Sequence, residues 1–238
     1  MLALVLCLGA AGVDPRVIEA QQLAAHGEES AALAQLQVVL HDVEDSGDSG
    51  SAALHRNVGT LALRVGDLGT AMRHLLAAQR RAPLDDDVTH NLRLVREARA
   101  DRIDGGSTSS LGQQLPPTPV RVATGLTLVL LGAALLLRGL MGSRLPAAMI
   151  ALLFLMAATA ASLWVARLRF ERQVVCVVVR DTRASESPDA RSVDAKAGFD
   201  VHPGLTGVLL QRQGEYEQLR LENGVEAWIG AAALAPVL

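Results

Sequence analysis

Two uncharged runs constrain this chain more than any other feature. Residues 122–137 are 16 consecutive uncharged residues between Arg121 and Arg138, and residues 145–166 are 22 more before Arg167. Sixteen helical residues rise about 24 Å against a hydrocarbon core of roughly 30 Å. The Arg138 side chain can reach back to the interface and extends the first run to Gly142. The second run is long enough outright. Residues 120–167 therefore read as a transmembrane hairpin in a lipid bilayer, with spans 122–142 and 145–166 joined by Arg138–Arg144. The soluble alternative is a buried helical pair.

The remaining composition is consistent with a divided chain. Half of the 238 residues are hydrophobic, yet only 3% are aromatic, and no ring precedes Phe154. Large rings normally anchor a soluble core, burying about 150–250 Å² each. Here Ala, Leu and Val must fill the first half, which favours closely packed helices. Charge is uneven: residues 13–118 carry 15 acids and 10 bases, residues 119–172 one acid and six bases, and residues 173–238 nine acids and six bases. Two acidic lobes flank a basic, apolar middle, which argues against nucleic acid as a partner. Cys7 and Cys176 are the only cysteines, too few for a disulfide framework or a cysteine metal cluster.

Residues 2–10 form a short apolar core followed by Ala11 and Gly12. Nine residues cannot span a bilayer but suit a signal-peptide core, so residues 1–12 read as a signal-like segment. A buried helix start is the other reading.

Residues 13–103 read as helical. Gly59, Gly66, Ala71, Ala78 and Pro83 fall at spacings of 7, 5, 7 and 5. Gly59 and Ala71 are small where two antiparallel helices would cross. Gly66-Asp67 is a turn that needs a positive φ, Ala78 keeps the next helix close, and Pro83 stops its helix. On these residues the stretch 52–85 resembles a tetratricopeptide repeat. It departs where His55, Ala62 and Leu75 replace the family's usual bulky rings. Aligning Gly27 with Gly66 gives a degenerate first copy with Ala20, Leu23, Ala32 and Leu36. A third helix begins at Asp85-Asp86-Asp87 and runs to about Arg102; the acids read as a helix cap rather than a calcium loop. Two copies and a capping helix form a minimal array, which implies self-association or a protein partner. The resemblance implies a concave groove lined by Arg56, Asn57, Thr60, His90 and Asn91. Asn57 and Asn91 stand at equivalent positions, where the family's asparagines bond a peptide backbone or terminal carboxylate.

Residues 104–119 are a Gly, Ser, Gln and Pro linker. Residues 173–238 read as short strands: Val174–Val179, a strand entered at Gly198, Gly207–Gln213, Tyr216–Leu221, Val225–Ile229 and a closing strand. Arg183–Asp194 reads as a loop, and Asn223-Gly224 as a hairpin turn. The Arg183…Pro188 loop, Gly198, Glu215-Tyr216 and Asn223-Gly224…Ala227-Trp228-Ile229 resemble a bacterial SH3-like barrel, with Ala227 where that family commonly has Gly. Tyr216 and Trp228 could form an aromatic ligand surface or the barrel's core.

Chemistry is sparse. The six histidines form no His-x₃-His or His-Glu-x-x-His pair, and no nucleophile elbow or phosphate loop is present. Cys176 lies in an apolar strand and reads as inert. The expectation is a protein that is not an enzyme, with no catalytic residue, metal or cofactor.

The order of segments, and residues 54–103 in particular, resembles BatE-type aerotolerance proteins. The resemblance implies a multi-domain membrane protein with tetratricopeptide-type repeats, two transmembrane helices and a small all-β SH3-like barrel. It also implies a scaffold working beside von Willebrand A-domain membrane proteins and a MoxR-type ATPase in bacterial envelope stress tolerance. A signal-like start places both lobes outside the cytoplasm of a bacterial inner membrane, although Arg121, Arg167, Arg169 and Arg172 count the other way under the positive-inside rule. The alternative function is cell-wall anchoring or sensing, with peptidoglycan bound by the barrel.

Overall fold

The structure, a computed structural model, describes residues 14–101, 117–141, 147–187 and 198–237. The signal-like segment 1–12, residues 104–116 of the linker, residues 142–144 of the expected join and the expected loop from Pro188 onward lie outside these residues. The chain forms two compact units. One contains the described residues 14–101 and 174–237; the other is the apolar hairpin.

In the first unit, five helices form in sequence: α1 (Pro15–Ala25), α2 (Glu29–Asp45), α3 (Ala52–Arg64), α4 (Leu68–Arg81) and α5 (Asp86–Ala98). Short side chains satisfy the otherwise open amides at several starts. Asp14 accepts from the Arg16 amide, Ser51 from Leu54, Asp67 from Thr70, and Asp85 from both Asp87 and Val88. The turn between α3 and α4 passes through Gly66 at φ +82°, and the one after α1 through Gly27 at φ +86°.

Each helix packs on its sequence neighbour. Ala20, Ala32, Ala62, Ala71 and Ala78 are buried at these crossings, with Leu36, Val58, Met72, Leu75, Val88 and Leu92 filling the space between. The approach is closest at Gly59, where an added Cβ would lie 2.7 Å from Leu75 Cγ. Pro83 follows the end of α4 in the turn to α5. His55 and His74 stack across α3 and α4 with ring centroids 5.3 Å apart, so an imidazole pair fills core volume in a layer without aromatic rings.

The sheet strands are β1 (Val175–Val178), β2 (Thr182–Ser185), β3 (Gly198–Val201), β4 (Thr206–Gln213), β5 (Tyr216–Leu221), β6 (Glu226–Gly230) and β7 (Leu234–Pro236). Their order is β3-β2-β6-β5-β4-β1-β7, and every pairing is antiparallel. The expected barrel is not closed: β3 and β7 are the two edges, and no pairing joins them among the described residues. β2 is a strand where a loop was expected from Arg183. Its polar Thr-Arg-Ala-Ser sequence hides the strand, since only Ala184 and Ser185 are buried. Cys176, Val178, Val201, Leu205, Leu219, Leu221 and Ile229 form the sheet core. Gly224 supplies the β5–β6 turn at φ +85°.

Although they are about 70 residues apart in sequence, the helices and the sheet share one core. Val177 of β1 and Val237 join the helical cluster. At Gly69 of α4, an added Cβ would lie 2.7 Å from the Val179 Cα. Arg73 donates to the Pro236 carbonyl at 3.0 Å. The expected third helix stops at Ala98 rather than near Arg102, because residues 99–101 are recruited by the sheet. Arg99 turns to extended backbone (φ −65°, ψ 148°), and its guanidinium binds Glu222.

The second unit pairs α6 (Pro117–Met141) with α7 (Ala147–Arg172). Segments Thr118–Gly139 and Met149–Arg172 are each long and apolar enough to cross a membrane. Thr124 Oγ1 donates to the Ala160 carbonyl at 3.1 Å, and Ala134 and Ala157 are buried between the helices. Most apolar side chains point outward, including Leu128, Val129, Leu136, Phe154 and Leu155. Within this chain the two helices are therefore not buried in a core. Both helices run past the uncharged windows read from sequence, because terminal arginines do not end helical hydrogen bonding.

A candidate binding groove in the helical layer

A concavity of about 350 Å³ in the first unit opens between α1, α3 and α5. Its floor is apolar, formed by Ala20 and Ala24 of α1, Leu36 of α2 and Leu61 of α3, with Leu94 of α5 at the side. The five residues read from sequence as groove residues, Arg56, Asn57, Thr60, His90 and Asn91, all line it. Helical spacing explains this. Residues 56, 57 and 60 occupy adjacent turns of one α3 face, and 90 and 91 the facing side of α5.

The side chains differ in what they leave open. Asn91 is buried and donates Nδ2–H to Thr60 Oγ1 at 2.8 Å, while Thr60 donates to the Arg56 carbonyl at 2.8 Å. Arg56 is held by Asp85 at 2.7 Å, with Asp87 at 4.0 Å. His90 Nδ1 accepts from Arg93 at 3.1 Å. Asn57 is half-buried on the wall and its amide makes no hydrogen bond with any described residue. The two asparagines read as equivalent are therefore split: one braces the groove and the other is available. At the rim, Arg64 pairs with Glu29 at 3.3 Å. An apolar floor with one open amide and balanced charge is suited to an extended polypeptide that seats an apolar side chain.

On the sheet, Tyr216 faces Gly230 and Trp228 faces Gln218, so both rings lie on the same face two residues apart. Tyr216 is half-buried, whereas Trp228 is only 5% exposed. The two do not form an open aromatic surface, because the Trp228 ring is covered.

Sequence reading missed two other features. The buried His55–His74 pair carried no motif. Burial pushes both imidazoles down, His55 to about 4 and His74 to about 3. The Arg99–Glu222 contact joins residues that look like ordinary surface charges. Burial pushes the Cys176 thiol up to about 11, reinforced by the nearby Glu217 carboxylate, which leaves little thiolate at neutral pH. Among the described residues, no group of three or more His, Cys, Asp or Glu side chains could hold a metal ion. Comparison with family models, curated proteins and solved structures gives no match for this chain.

Proposed function

We propose that this chain is a non-catalytic, membrane-anchored scaffold that holds a protein partner in the groove between α1, α3 and α5. The carrying observation is the convergence of Arg56, Asn57, Thr60, His90 and Asn91 on one apolar-floored concavity. Two consecutive helical hairpins, α1/α2 and α3/α4, followed by α5, support the tetratricopeptide-type reading. The small antiparallel sheet supports an SH3-like relative with its edges open. On the resemblance to BatE-type proteins, the partners are von Willebrand A-domain membrane proteins and a MoxR-type ATPase system, in envelope stress tolerance. The chain sits in a bacterial inner membrane by its two spans, with both lobes outside the cytoplasm. Peptidoglycan binding by the sheet is the weaker reading, because Trp228 is covered.

The test uses Asn57→Trp, which fills the groove without touching the Arg56–Asp85 or Asn91–Thr60 contacts. Co-purification of a von Willebrand A-domain partner with the full chain should fall at least tenfold, with the melting temperature unchanged. Undiminished recovery of that partner by a folded Asn57→Trp protein would falsify the groove assignment.

A further inference from the structure

The hairpin carries its charge at one end. Arg121 of α6 and Arg167, Arg169 and Arg172 of α7 cluster where the chain enters and leaves the second unit, with Glu171 as the one nearby acid. Glu171 is already shared, accepting from Arg167 Nε at 3.0 Å and lying 3.5 Å from Arg121. Arg167 is buried and also lies over the Phe170 ring, 5.3 Å from its centroid. Arg169 and Arg172 are exposed, three residues apart on one helix face, and make no ion pair or hydrogen bond with any described residue. Trp164 stands partly exposed one to two turns before them, at the depth where indole rings favour the boundary between hydrocarbon and headgroups.

Four guanidiniums against one carboxylate leave a net positive collar, and two of its members have open, forked donors. Such a fork fits a phosphate oxygen pair, and at the end of a membrane span the phosphates within reach belong to lipids. We infer that Arg169 and Arg172 form a binding site for an anionic phospholipid headgroup, braced from behind by the Arg121–Glu171–Arg167 network. This rests on the membrane-spanning reading of α6 and α7. The collar explains the arginine excess at this end through local lipid contacts, without requiring that end to face the cytoplasm.

The test uses the full chain in nanodiscs of phosphatidylcholine mixed with phosphatidylglycerol, and native mass spectrometry of the lipids that stay bound. A basic side chain near an anionic surface favours association by about fivefold, so the pair should enrich phosphatidylglycerol by about twenty-five-fold at low salt. Arg169→Gln with Arg172→Gln should abolish the enrichment, while Arg138→Gln, at the other end of α6, should keep it. Equal enrichment in the double variant, or none in the wild type, overturns the site. Displacement of the lipid by inorganic phosphate at low salt also overturns it, since the collar would then read a free anion. Carbonate washing of vesicles separates the premises: a chain that stays in phosphatidylcholine bilayers without a phosphatidylglycerol preference refutes the collar alone. A chain washed off refutes the spans and the collar together.

Discussion

Arg99 and Glu222 form a two-armed ion pair, at 2.7 and 3.1 Å, between residues that lie on either side of the hairpin in sequence. Both side chains are largely buried, and Thr206 donates a further short hydrogen bond to the same carboxylate. Burial alone would raise the Glu222 carboxyl, but the Arg99 and Thr206 hydrogen bonds outweigh it and hold it below the usual carboxylate range. Burial lowers the neighbouring Arg96 guanidinium, which Glu222 partly offsets. One carboxylate therefore pairs with buried Arg99 and offsets part of the charge of half-buried Arg96 at the helix–sheet seam.

Removing that carboxylate should cost more than the loss of one ion pair. Glu222→Gln leaves the buried Arg99 guanidinium without its counter-charge, a loss of about 3–5 kcal/mol. For a unit of this size the melting temperature should drop by about 10 °C. Arg99→Met combined with Glu222→Leu should cost far less, because no unpaired charge remains. Differential scanning calorimetry of the two variants checks the ordering.

The His55–His74 pair should make the helical layer acid-labile. His55 Nε2–H donates to the Ser49 carbonyl at 2.8 Å, so its Nδ1 must accept from His74 Nδ1–H across 3.1 Å; that tautomer follows from the network. Arg73 and Arg81 face the pair and add to the cost of protonation. Both folded values lie below the unfolded value near 6.5. The stabilisation is thus fully present above pH 6.5 and is lost as pH falls toward 4 and 3. Within that window each histidine can cost up to about 1.4 kcal/mol per pH unit. Urea midpoints between pH 7 and 4.5 should fall steeply in the wild type and flatten in His55→Leu/His74→Leu. The Ser49 carbonyl still accepts from Arg81 there.

Two glycines of one hairpin should fail for different reasons. Gly59→Ala presses a methyl group against Leu75, whose backbone nitrogen lies 3.1 Å from the added Cβ and cannot easily retreat; overpacking of this kind costs about 1–3 kcal/mol. Gly66→Ala meets nothing within 4 Å but holds φ at +82°, which costs about 1–2 kcal/mol. Gly66→Asn should recover much of that loss, whereas Gly59→Asn should be worse than Gly59→Ala. Denaturant titration of the four variants distinguishes space from strain.

On the proposed membrane-spanning reading of α6 and α7, a seam joining residues on both flanks of the hairpin requires those flanks to share one side of the bilayer. In a chain with its native cysteines replaced, single cysteines at exposed Asp45 and Gln213 should react together with an impermeant maleimide, or be shielded together. Opposite labelling would break the single unit.

Local structure was well marked in the sequence, and long-range packing was not. Gly66 and Gly224 announce turns because few other residues accept their φ, and Asp67 and Asp85 announce helix starts because their side chains cap amides. Helix periodicity puts 56, 57 and 60 on one face, and the tetratricopeptide resemblance grouped them with 90 and 91. By contrast, Arg99 and Glu222 are indistinguishable in sequence from exposed charges, and nothing in Asp101 or His202 foretells their 2.8 Å contact. The β2 strand escaped notice because two of its four residues are polar and unburied. Trp228 was legible as a strand residue, and the sequence left open whether its ring faced a ligand or the core; the ring is 5% exposed.

The position of Val237 also imposes a timetable. It packs into the same cluster as Met72 and Leu75, yet is synthesised 156 residues after α4 ends at Arg81. At about 5–20 residues per second, translation leaves the sheet-facing side of α4 bare for about 10–30 s, while the apolar hairpin is made. During that interval the helical layer is an unfinished surface on a chain still being made. The cell must shield it, or the chain must tolerate the wait.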